Sequence, residues 1–388
     1  MEAPGPGLGH RSERNHSRRG GHRQQRDWRE RPGAAPDQDQ QLRHHAGRRG
    51  QFHHRSRCGG PERGAFRSLP DRRGGVAIVT PTARILVTGG AGFIGSHVSR
   101  ALLASGRQVT VLDNLSMGRR EAVPEGARFV HGDIRDRAAV SDALTDIDSV
   151  IHLAAQVTIR GSFDRFYEDL DTNLMGTANI VRSIDPARVR WFTLASSMAV
   201  YADCPAPMPI AEDYTTQPLS PYGVGKLAAE QVCRQMLATA GVPLTVLRFF
   251  NTFGPGQSYT PYVGVITIFV TRLLRNEAPV IFGDGEQQRD FVHVGDITDG
   301  VLGSLGRATG TFNLGSGRST SLNALSRLLC DRLQAGAQPA HEPARDGELR
   351  YSVADVAAAR RAFGYAPSRT LETNLDDVIN DVKARPSK

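Results

Sequence analysis

Residues 84–95 read Arg-Ile-Leu-Val-Thr-Gly-Gly-Ala-Gly-Phe-Ile-Gly, and this stretch decides the fold. The apolar run at 85–87 suits a short buried strand, and the glycines after it mark a tight turn. Residues 93–103 then follow the spacing of an amphipathic helix. This order predicts a site for a dinucleotide pyrophosphate, because the backbone can approach the phosphates and the helix N-terminus attracts their charge. The residues predicted to form it are Gly89, Gly92, Phe93, Ile94 and Gly95.

Further along the chain, short β-branched runs alternate with amphipathic segments, as in parallel βαβ units. The predicted strands lie at 84–88, 108–113, 128–131, 148–153, 189–195 and 244–249. The predicted helices lie at 93–105, 136–144, 170–184, 221–240 and 263–276. Looser elements follow, with strands near 280–282, 289–293 and 311–314 and helices near 321–333 and 353–362. We expect an α/β protein with a Rossmann-type doubly wound parallel sheet and a smaller C-terminal α/β lobe.

Three parts of the chain are predicted: a leader at 1–80, a cofactor-binding Rossmann domain at 81–252, and a mainly substrate-binding lobe at 253–388. Some segments of the lobe are expected to return to the Rossmann domain. The leader has 17 Arg, no Lys and 8 acidic residues, and it contains too few apolar residues to fold. Such a segment could bind nucleic acid or target an organelle. We favour a third interpretation, a misassigned start upstream of a protein that begins near 76–84.

The cysteines and the hydropathy exclude several classes of protein. Cys58, Cys204, Cys233 and Cys330 are widely spaced and match no zinc module, so neither disulfides nor a metal is expected. No apolar run reaches the ~18 residues that cross a bilayer, and no signal segment opens the chain. These features predict a cytoplasmic protein with no membrane partner.

Asp113 ends the second predicted strand, about 20 residues beyond the glycine turn. A carboxylate there accepts hydrogen bonds from the adenosine ribose and repels a 2′-phosphate. The predicted cofactor is therefore NAD, although Arg119 and Arg120 leave NADP as an alternative.

Tyr222 and Lys226 stand four residues apart, one helical turn, at the start of a predicted helix. A free tyrosine titrates near ~10, too high for a base at neutral pH. A nearby ammonium and a positive nicotinamide would lower this pKa. The pair therefore predicts an enzyme that transfers a hydride and a proton together.

Further motifs follow in a consistent order along the chain. They are Leu112-Asp-Asn-Leu-Ser116, Gly132-Asp-Ile-Arg-Asp136, His152-Leu-Ala-Ala-Gln156, Ser196-Ser-Met-Ala-Val-Tyr201, Arg248-Phe-Phe-Asn-Thr-Phe-Gly-Pro255, Gly283-Asp-Gly-Glu-Gln-Gln-Arg-Asp290 and Asn313-Leu-Gly-Ser316. With the glycine turn and the Tyr-x-x-x-Lys pair, they make residues 84–380 resemble the extended short-chain dehydrogenase/reductase family. The resemblance is to its NAD-dependent sugar-nucleotide epimerases and dehydratases, most of all the UDP-glucose 4-epimerases.

The resemblance implies roles for individual residues. Besides the glycine turn and Asp113, the implied cofactor residues are Asn114, Asp133, Ile134, Ala154, Ala155, Asn173, Tyr222 and Lys226. The implied substrate residues are Ser197, Asn251, Arg289 and Arg345. A homodimer through the helices near 170–184 and 221–240 is also implied. One departure is Gly225, which stands where the family commonly has Ser.

The residues before Val200-Tyr201 bear on the reaction. Relatives that eliminate water carry an acidic pair there, and the decarboxylases carry a Glu, but this chain has Met198 and Ala199. Ser197 is the hydroxyl that 4-epimerases use. We therefore expect Tyr222, Lys226 and Ser197 to invert C4 of a nucleotide-diphosphate sugar of the UDP-glucose/UDP-galactose type, through a transient 4-keto intermediate. The alternatives are a dehydratase, decarboxylase or 4-ketoreductase of the same family and, more remotely, a non-catalytic NAD-binding sensor.

Overall fold

The computed structural model describes residues 83–260, 264–344 and 349–385. The leader at 1–80 and Arg345 lie outside the described residues, so the predictions about them stay predictions. The strands are β1 (Arg84–Thr88), β2 (Gln108–Asp113), β3 (Arg128–His131), β4 (Ser149–His152), β5 (Trp191–Ser197), β6 (Leu244–Phe249), β7 (Asn251–Phe253), β8 (Val280–Phe282), β9 (Gln288–Arg289), β10 (Phe291–His293), β11 (Gly310–Leu314), β12 (Thr320–Ser321), β13 (Ala340–Glu342) and β14 (Tyr351–Ser352). The α-helices are α1 (Phe93–Ala104), α2 (Arg137–Ala143), α3 (Gly161–Asp164), α4 (Phe166–Leu170), α5 (Thr177–Ser183), α6 (Pro221–Ala240), α7 (Val265–Leu274), α8 (Val294–Ser304), α9 (Leu322–Leu333), α10 (Ala357–Phe363) and α11 (Leu371–Lys383).

Seven strands form one parallel sheet in the order β11-β6-β5-β4-β1-β2-β3. The first strand, β1, lies inside this sheet; the chain then builds outward through β2 to β3 and crosses back to place β4 on the other side of β1. This reversal opens a crevice at the carboxyl ends of β1 and β4, where doubly wound folds bind their ligands. The predicted fold class is confirmed.

Helices cover both faces of the sheet, because side chains along a strand alternate between them. Ile85 and Val87 join the core that includes α1 and α8, whereas Leu86 joins the core that includes α2, α5 and α6. All three side chains are fully buried, and each contributes roughly 1.5–3 kcal/mol of hydrophobic stabilisation.

A third apolar core lies in the C-terminal part of the chain. It packs α7, α9 and α11 against Phe253, Ile281 and Phe291. Small sheets border it: β7 pairs with β10, β8 with β13, and β9 with β12 and β14. The later strand β11 nevertheless pairs with β6 in the main sheet.

Several elements differ from the sequence predictions. The helix predicted at 170–184 is α4, a π-helical turn over Asp171–Gly176, and α5. The strand predicted near 289–293 divides at Asp290 into β9 and β10, which belong to different sheets. Helices α3, α8 and α11 were not predicted at all. Within the described ranges, every helix is too short or too polar to cross a membrane.

Candidate active site

A cavity of about 820 Å³ lies at the carboxyl ends of the parallel strands. This volume is in the range of small-molecule and cofactor sites. The predicted site residues that line it are Gly89, Gly92, Phe93, Ile94, Gly95, Asp113, Asn114, Asp133, Ile134, Ala154, Ala155, Ser197, Tyr222, Lys226, Asn251 and Arg289. Asn173 is not among the lining residues, and Arg345 lies outside the described part of the chain.

The glycine turn packs too closely for side chains. Gly89 has a φ of +70°, and a Cβ atom on Gly95 would lie 2.1 Å from the Gly89 carbonyl oxygen. Helix α1 then begins with no side-chain cap and no acid in its first turn. Its first N–H groups and its positive dipole end are therefore available to an anionic ligand, as a dinucleotide diphosphate requires.

Backbone donors hold Asp113 at the end of β2. The Ala91 N–H donates to Oδ2 at 3.0 Å, and the Leu115 N–H donates to Oδ1 at 2.8 Å. The first bond ties the carboxylate to the glycine turn. Each oxygen keeps a lone pair for another donor, so the arrangement fits a ribose with two free hydroxyls.

Asn114 and Asp133 join the loops after β2 and β3. The Asn114 amide donates to Asp133 Oδ2 at 2.8 Å, and Arg135 donates to both Asp133 oxygens at 2.9 and 2.8 Å. The hydrogen bonds from Arg135 are the main reason that the pKa of Asp133 lies well below its usual range. Asp133 therefore stays ionised and fixed beside Ile134 at the cavity wall.

A buried histidine supports the loop after β4. His152 Nδ1 lies 2.6 Å from Thr88 Oγ1, and its Nε2 lies 2.9 Å from Thr177 Oγ1. Burial lowers the pKa of His152 to about 3, so the ring is neutral. Thr88 Oγ1 also accepts from the Ala154 N–H at 3.2 Å. This network fixes the backbone at Ala154, next to Ala155, and the motif around His152 did not reveal that role.

Asn173 supports the same loop from the π-helical turn. Its amide nitrogen donates to the Gln156 carbonyl at 3.0 Å, and its amide oxygen accepts from the Gln156 N–H at 2.9 Å. π-helical turns are frequent at functional sites. The two bonds hold the backbone that continues from Ala155 along the cavity.

Tyr222 and Lys226 lie one turn apart near the start of α6, and both are buried. Ser220 caps the helix by accepting from the Gly223 N–H at 3.1 Å. The Tyr222 N–H donates to Ser162 Oγ at 3.1 Å. These two hydrogen bonds hold the first turn of α6 in place at Ser220 and at Tyr222.

Close packing brings Ser197 and Tyr222 into one site. A Cβ atom on Gly223 would lie 2.2 Å from the Ala199 carbonyl oxygen, so only glycine lets α6 pack directly on the turn after β5. Ser197 ends β5, and its Oγ accepts from the Ala199 N–H at 3.2 Å. The Ser197 hydroxyl is close enough to Tyr222 to lower its pKa.

Burial and hydrogen bonding act in opposite directions on the pKa of Tyr222. Burial raises the pKa of Tyr222 to about 12, although Ser197 lowers it. Burial also lowers the pKa of Lys226 to about 8. In the ligand-free protein the pKa of Tyr222 is therefore raised, because loss of water outweighs the hydrogen bond from Ser197. The lowering expected beside a positive nicotinamide stays a prediction. At pH 7 the phenol is neutral and most of the lysine is charged.

The turn after β5 offers few proton donors. Met198 and Ala199 begin a 3-10 turn, line the cavity and are buried. Neither side chain can hold a proton. Within this turn, Ser197 is therefore the side chain able to share proton transfer with Tyr222.

The C-terminal lobe contributes Asn251 and Arg289 to the cavity. Asn251 Oδ1 is buried and has no hydrogen-bond partner among the described residues, although it lines the cavity. Between β9 and β10, the buried Asp290 accepts from the Ser316 N–H and hydroxyl, each at 2.6 Å. Its own carbonyl accepts from the Asn251 N–H at 3.1 Å. Asp290 thus fixes the strands that carry both substrate candidates.

A buried ion pair beneath the site was also missed. Glu230 in α6 accepts from Arg248 Nε at 2.9 Å and from its Nη2 at 2.8 Å, and it accepts from Ser196 at 2.5 Å. Burial opposes ionisation, but the hydrogen bonds from Arg248 outweigh it and lower the pKa of Glu230. The network joins α6, which carries Tyr222, to β6 and to β5, which ends at Ser197.

Known proteins share this sequence and this fold. The model of the NAD dependent epimerase/dehydratase family matches residues 85–315. A UDP-glucose 4-epimerase of Mycolicibacterium smegmatis is 35% identical over 305 residues, which cover 76% of this chain and 97% of that protein. The crystal structure of UDP-glucose 4-epimerase with UDP-glucose from Thermotoga maritima has a TM-score of 0.75 at 34% identity, covering 77% of this chain and 98% of that one. The Thermus thermophilus UDP-glucose 4-epimerase complex with NAD has a TM-score of 0.73 at 32% identity, covering 78% of this chain and 99% of that one. This chain therefore belongs to the NAD dependent epimerase/dehydratase family.

Proposed function

We propose that this protein is an NAD-dependent 4-epimerase that interconverts UDP-glucose and UDP-galactose. The observation that carries the proposal is the pairing of Ser197 and Tyr222 beside Met198 and Ala199, which hold no proton. Elimination of water needs a further general acid and base, whereas inversion at C4 needs the tyrosine, the serine and the cofactor. The M. smegmatis, T. maritima and T. thermophilus relatives are UDP-glucose 4-epimerases, which supports the same substrate pair.

The cofactor would lie along the glycine turn and the end of β2. The diphosphate would lie on the N–H groups at the start of α1, and Asp113 would accept from the ribose hydroxyls. NAD supplies reversible acceptance of the hydride from C4 when it is bound. The other residues proposed to hold it are Asn114, Asp133, Ile134, Ala154, Ala155, Asn173, Tyr222 and Lys226.

Proton transfer would be the task of Tyr222, Ser197 and Lys226. Tyr222 as a phenolate takes the proton of the C4 hydroxyl, and Ser197 relays it over the short distance between them. The ammonium of Lys226 stabilises the phenolate by its charge. Tyr222 later returns the same proton, so the enzyme ends each turnover in its starting state.

Substrate anchoring would fall to the C-terminal lobe. Arg289 would bind the diphosphate, because a guanidinium pairs well with phosphate oxygens, and Asn251 would contribute its cavity-facing amide. Arg345 is proposed as a second clamp. While the diphosphate stays bound, the 4-keto sugar turns and presents its other face, which accounts for inversion without net oxidation.

The test uses purified full-length protein with UDP-galactose and NAD. The expected product is UDP-glucose, and Tyr222→Phe should lower kcat at least about 100-fold while NAD still binds. Failure of both this pair and the N-acetylated pair to interconvert would contradict the proposal. Loss of water or carbon dioxide from the sugar would identify a dehydratase or a decarboxylase, and a net change of cofactor redox state would identify a 4-ketoreductase. A Tyr222→Phe protein with unchanged function would indicate a sensor.

We further propose a homodimer formed through α4, the π-helical turn and α6. Tyr167 is 84% exposed, and Phe166, Met175 and Val224 are also exposed on these elements. Exposed apolar side chains on neighbouring elements are a feature of protein interfaces, and these elements pack on one another. A second copy of the chain is the proposed partner.

We also propose a cytoplasmic location. The cysteines in the described residues, Cys204, Cys233 and Cys330, are all free. Free thiols are usual in reducing compartments, which supports this location.

A further inference from the structure

Asp169 in α4 is a buried acid that the mechanism above does not use. The residue is 2% exposed, and neither carboxylate oxygen has a hydrogen-bond partner among the described residues. A carboxylate buried without a partner is costly to the fold. Its position beside the active site therefore suggests a task other than packing.

The space around Gly225 connects Asp169 to the catalytic helix. A Cβ atom on Gly225 would lie 3.6 Å from Asp169 Oδ1 and 3.5 Å from the Cβ of Asn173. These are ordinary contact distances, so a small side chain fits there. A serine hydroxyl at this position could donate to Asp169, and the glycine leaves the carboxylate without that donor. Lys226 is the next residue in the chain.

The charged and titratable groups around Lys226 single out Asp169. Those that interact with the charge of the lysine are Asp169 from α4, Glu230 and Cys233 from α6, and His152 from β4. Glu230 already pairs with Arg248, burial raises the pKa of Cys233 to about 12, and His152 is neutral. Asp169 is therefore the acid whose charge is left for the lysine.

Asp169 itself has two cationic neighbours. They are Lys226 and Arg165, and Arg165 is exposed to solvent. Burial raises the pKa of Asp169, whereas the Asn173 amide and the two cations act to lower it. Because charges interact more strongly away from water, the buried lysine is the more strongly coupled of the two cations.

We propose that Asp169 is a positioning residue that acts through Lys226: its buried carboxylate balances the ammonium and holds it beside Tyr222, and Gly225 keeps that carboxylate unshared. The role rests on the proposed function, since it concerns the same tyrosine and lysine. The negative charge favours the ammonium form of Lys226 and disfavours the phenolate form of Tyr222.

Removal of this charge should change the pH dependence in a defined direction. Without the carboxylate the pKa of Lys226 falls, so the ammonium is lost at a lower pH. The alkaline limb of the kcat–pH profile therefore shifts to lower pH. The pKa of Tyr222 falls too, so the phenolate forms at a lower pH. The acid limb of the same profile therefore also shifts to lower pH. A residue that only supported the fold would lower activity equally at every pH.

The experiment compares Asp169→Asn with Glu168→Gln in full-length protein, with UDP-galactose and saturating NAD. Asp169→Asn should move both limbs of the kcat profile down by about one pH unit. On the alkaline limb, kcat should then fall roughly tenfold, while KM stays within about twofold. Glu168 is the exposed neighbour on the same helix, and its variant makes the same change in charge. Its profile should match the wild type.

A readout independent of turnover is the ultraviolet titration of tyrosinate in the ligand-free protein. The Tyr222 signal, identified by subtraction of Tyr222→Phe, should appear at a lower pH in Asp169→Asn than in the wild type. An unshifted titration together with an unshifted activity profile would overturn the role of Asp169. A wild type that converts no nucleotide sugar would contradict the proposed function instead.

A second pair of variants decides the matter if Asp169→Asn fails to fold. Gly225→Ala adds a Cβ without a donor, and Gly225→Ser adds the same Cβ with a hydroxyl that can share the Asp169 charge. The proposal predicts a downward shift of the pH profile in the serine variant relative to the alanine variant. Identical profiles for the two variants would overturn it.

Discussion

At Tyr222, burial and charge act on the pKa in opposite directions. Burial raises it to about 12 in the ligand-free protein, and a positive nicotinamide bound nearby would lower it. The phenol should therefore ionise only once the cofactor is present. Ultraviolet difference absorbance at about pH 9 should show a tyrosinate signal when NAD is added, and Tyr222→Phe should lack it. An equal signal with and without NAD would contradict this account.

Residue types at fixed spacing were the part of the site that the sequence could predict. The glycine turn, Asp113 and the Tyr222/Lys226 pair each lie within one local segment whose chemistry requires those residues. The raised pKa of Tyr222 in the ligand-free protein was not predicted, because burial depends on packing, which spacing does not reveal. Asp169 escaped notice for the same reason, since its missing hydrogen-bond partners can be seen only in three dimensions.

At the scale of elements, the Glu230–Arg248 pair holds α6 against β5 and β6. Glu230→Gln should lower the free energy of unfolding by about 3 kcal/mol, because it leaves a buried guanidinium unpaired. The folded protein lowers the pKa of Glu230 below its ordinary value of 4.5. The extra stability of the wild type is therefore full above the ordinary value and is lost as pH falls through the lower value in the folded protein.

Urea unfolding at about pH 7 and again at about pH 4 measures this effect. The difference in the free energy of unfolding between the wild type and Glu230→Gln should be smaller at about pH 4 than at about pH 7. Glu125→Gln changes an exposed acid and should match the wild type at both. If Glu230→Gln unfolds with the same free energy as the wild type, or if the difference grows at the acid pH, the Glu230–Arg248 pair does not stabilise the fold as proposed.

Helix α11 reaches the cavity wall at its carboxyl end. Asp381 accepts from the Gly256 N–H at 2.9 Å, and Arg385 pairs with Asp381 while donating to the Gln257 carbonyl at 2.6 Å. Gln257 lines the cavity. Asp381→Asn should raise KM for the nucleotide sugar about fivefold with little change in kcat, as the loss of ~1 kcal/mol from one hydrogen bond implies.

Asp376→Asn is the matched control for α11. Asp376 lies on the same helix but pairs with Arg332 of α9 at 2.8 Å and does not line the cavity. Its KM should equal that of the wild type in steady-state assays. Equal KM values for the two variants would show that α11 does not shape the substrate wall.

The elements that the sequence missed have physical explanations. Helix α8 contains three glycines in eleven residues, which lowers local helix propensity, and packing against α1 and the sheet overrides it. The apolar spacing of residues 171–176 is that of an ordinary α-helix, so the sequence pattern does not distinguish the π-helical turn from the helices on either side of it. Helix α11 did carry a signal, since Leu371, Leu375 and Val378 recur at helical spacing.

At the scale of the whole molecule, the fold could be predicted because alternating strands and helices admit few topologies. The proposed homodimer concerns more than one copy of the chain, and a substitution at Tyr167 tests it. Light scattering should give twice the mass of one chain for the wild type and the mass of one chain for Tyr167→Asp. Met208→Asp changes another exposed apolar residue and should leave the dimer intact. A wild type with the mass of one chain would contradict the proposal.

The central claim is a reversible oxidation at C4 that returns the hydride to the same carbon. UDP-galactose labelled with deuterium at C4 tests it most directly, with NMR and mass spectrometry of the products in ordinary water. The account predicts UDP-glucose that retains the deuterium at C4, with no loss of water from the sugar and no accumulation of reduced cofactor. Loss of the label to solvent, or a product that lacks water or carbon dioxide, would contradict it.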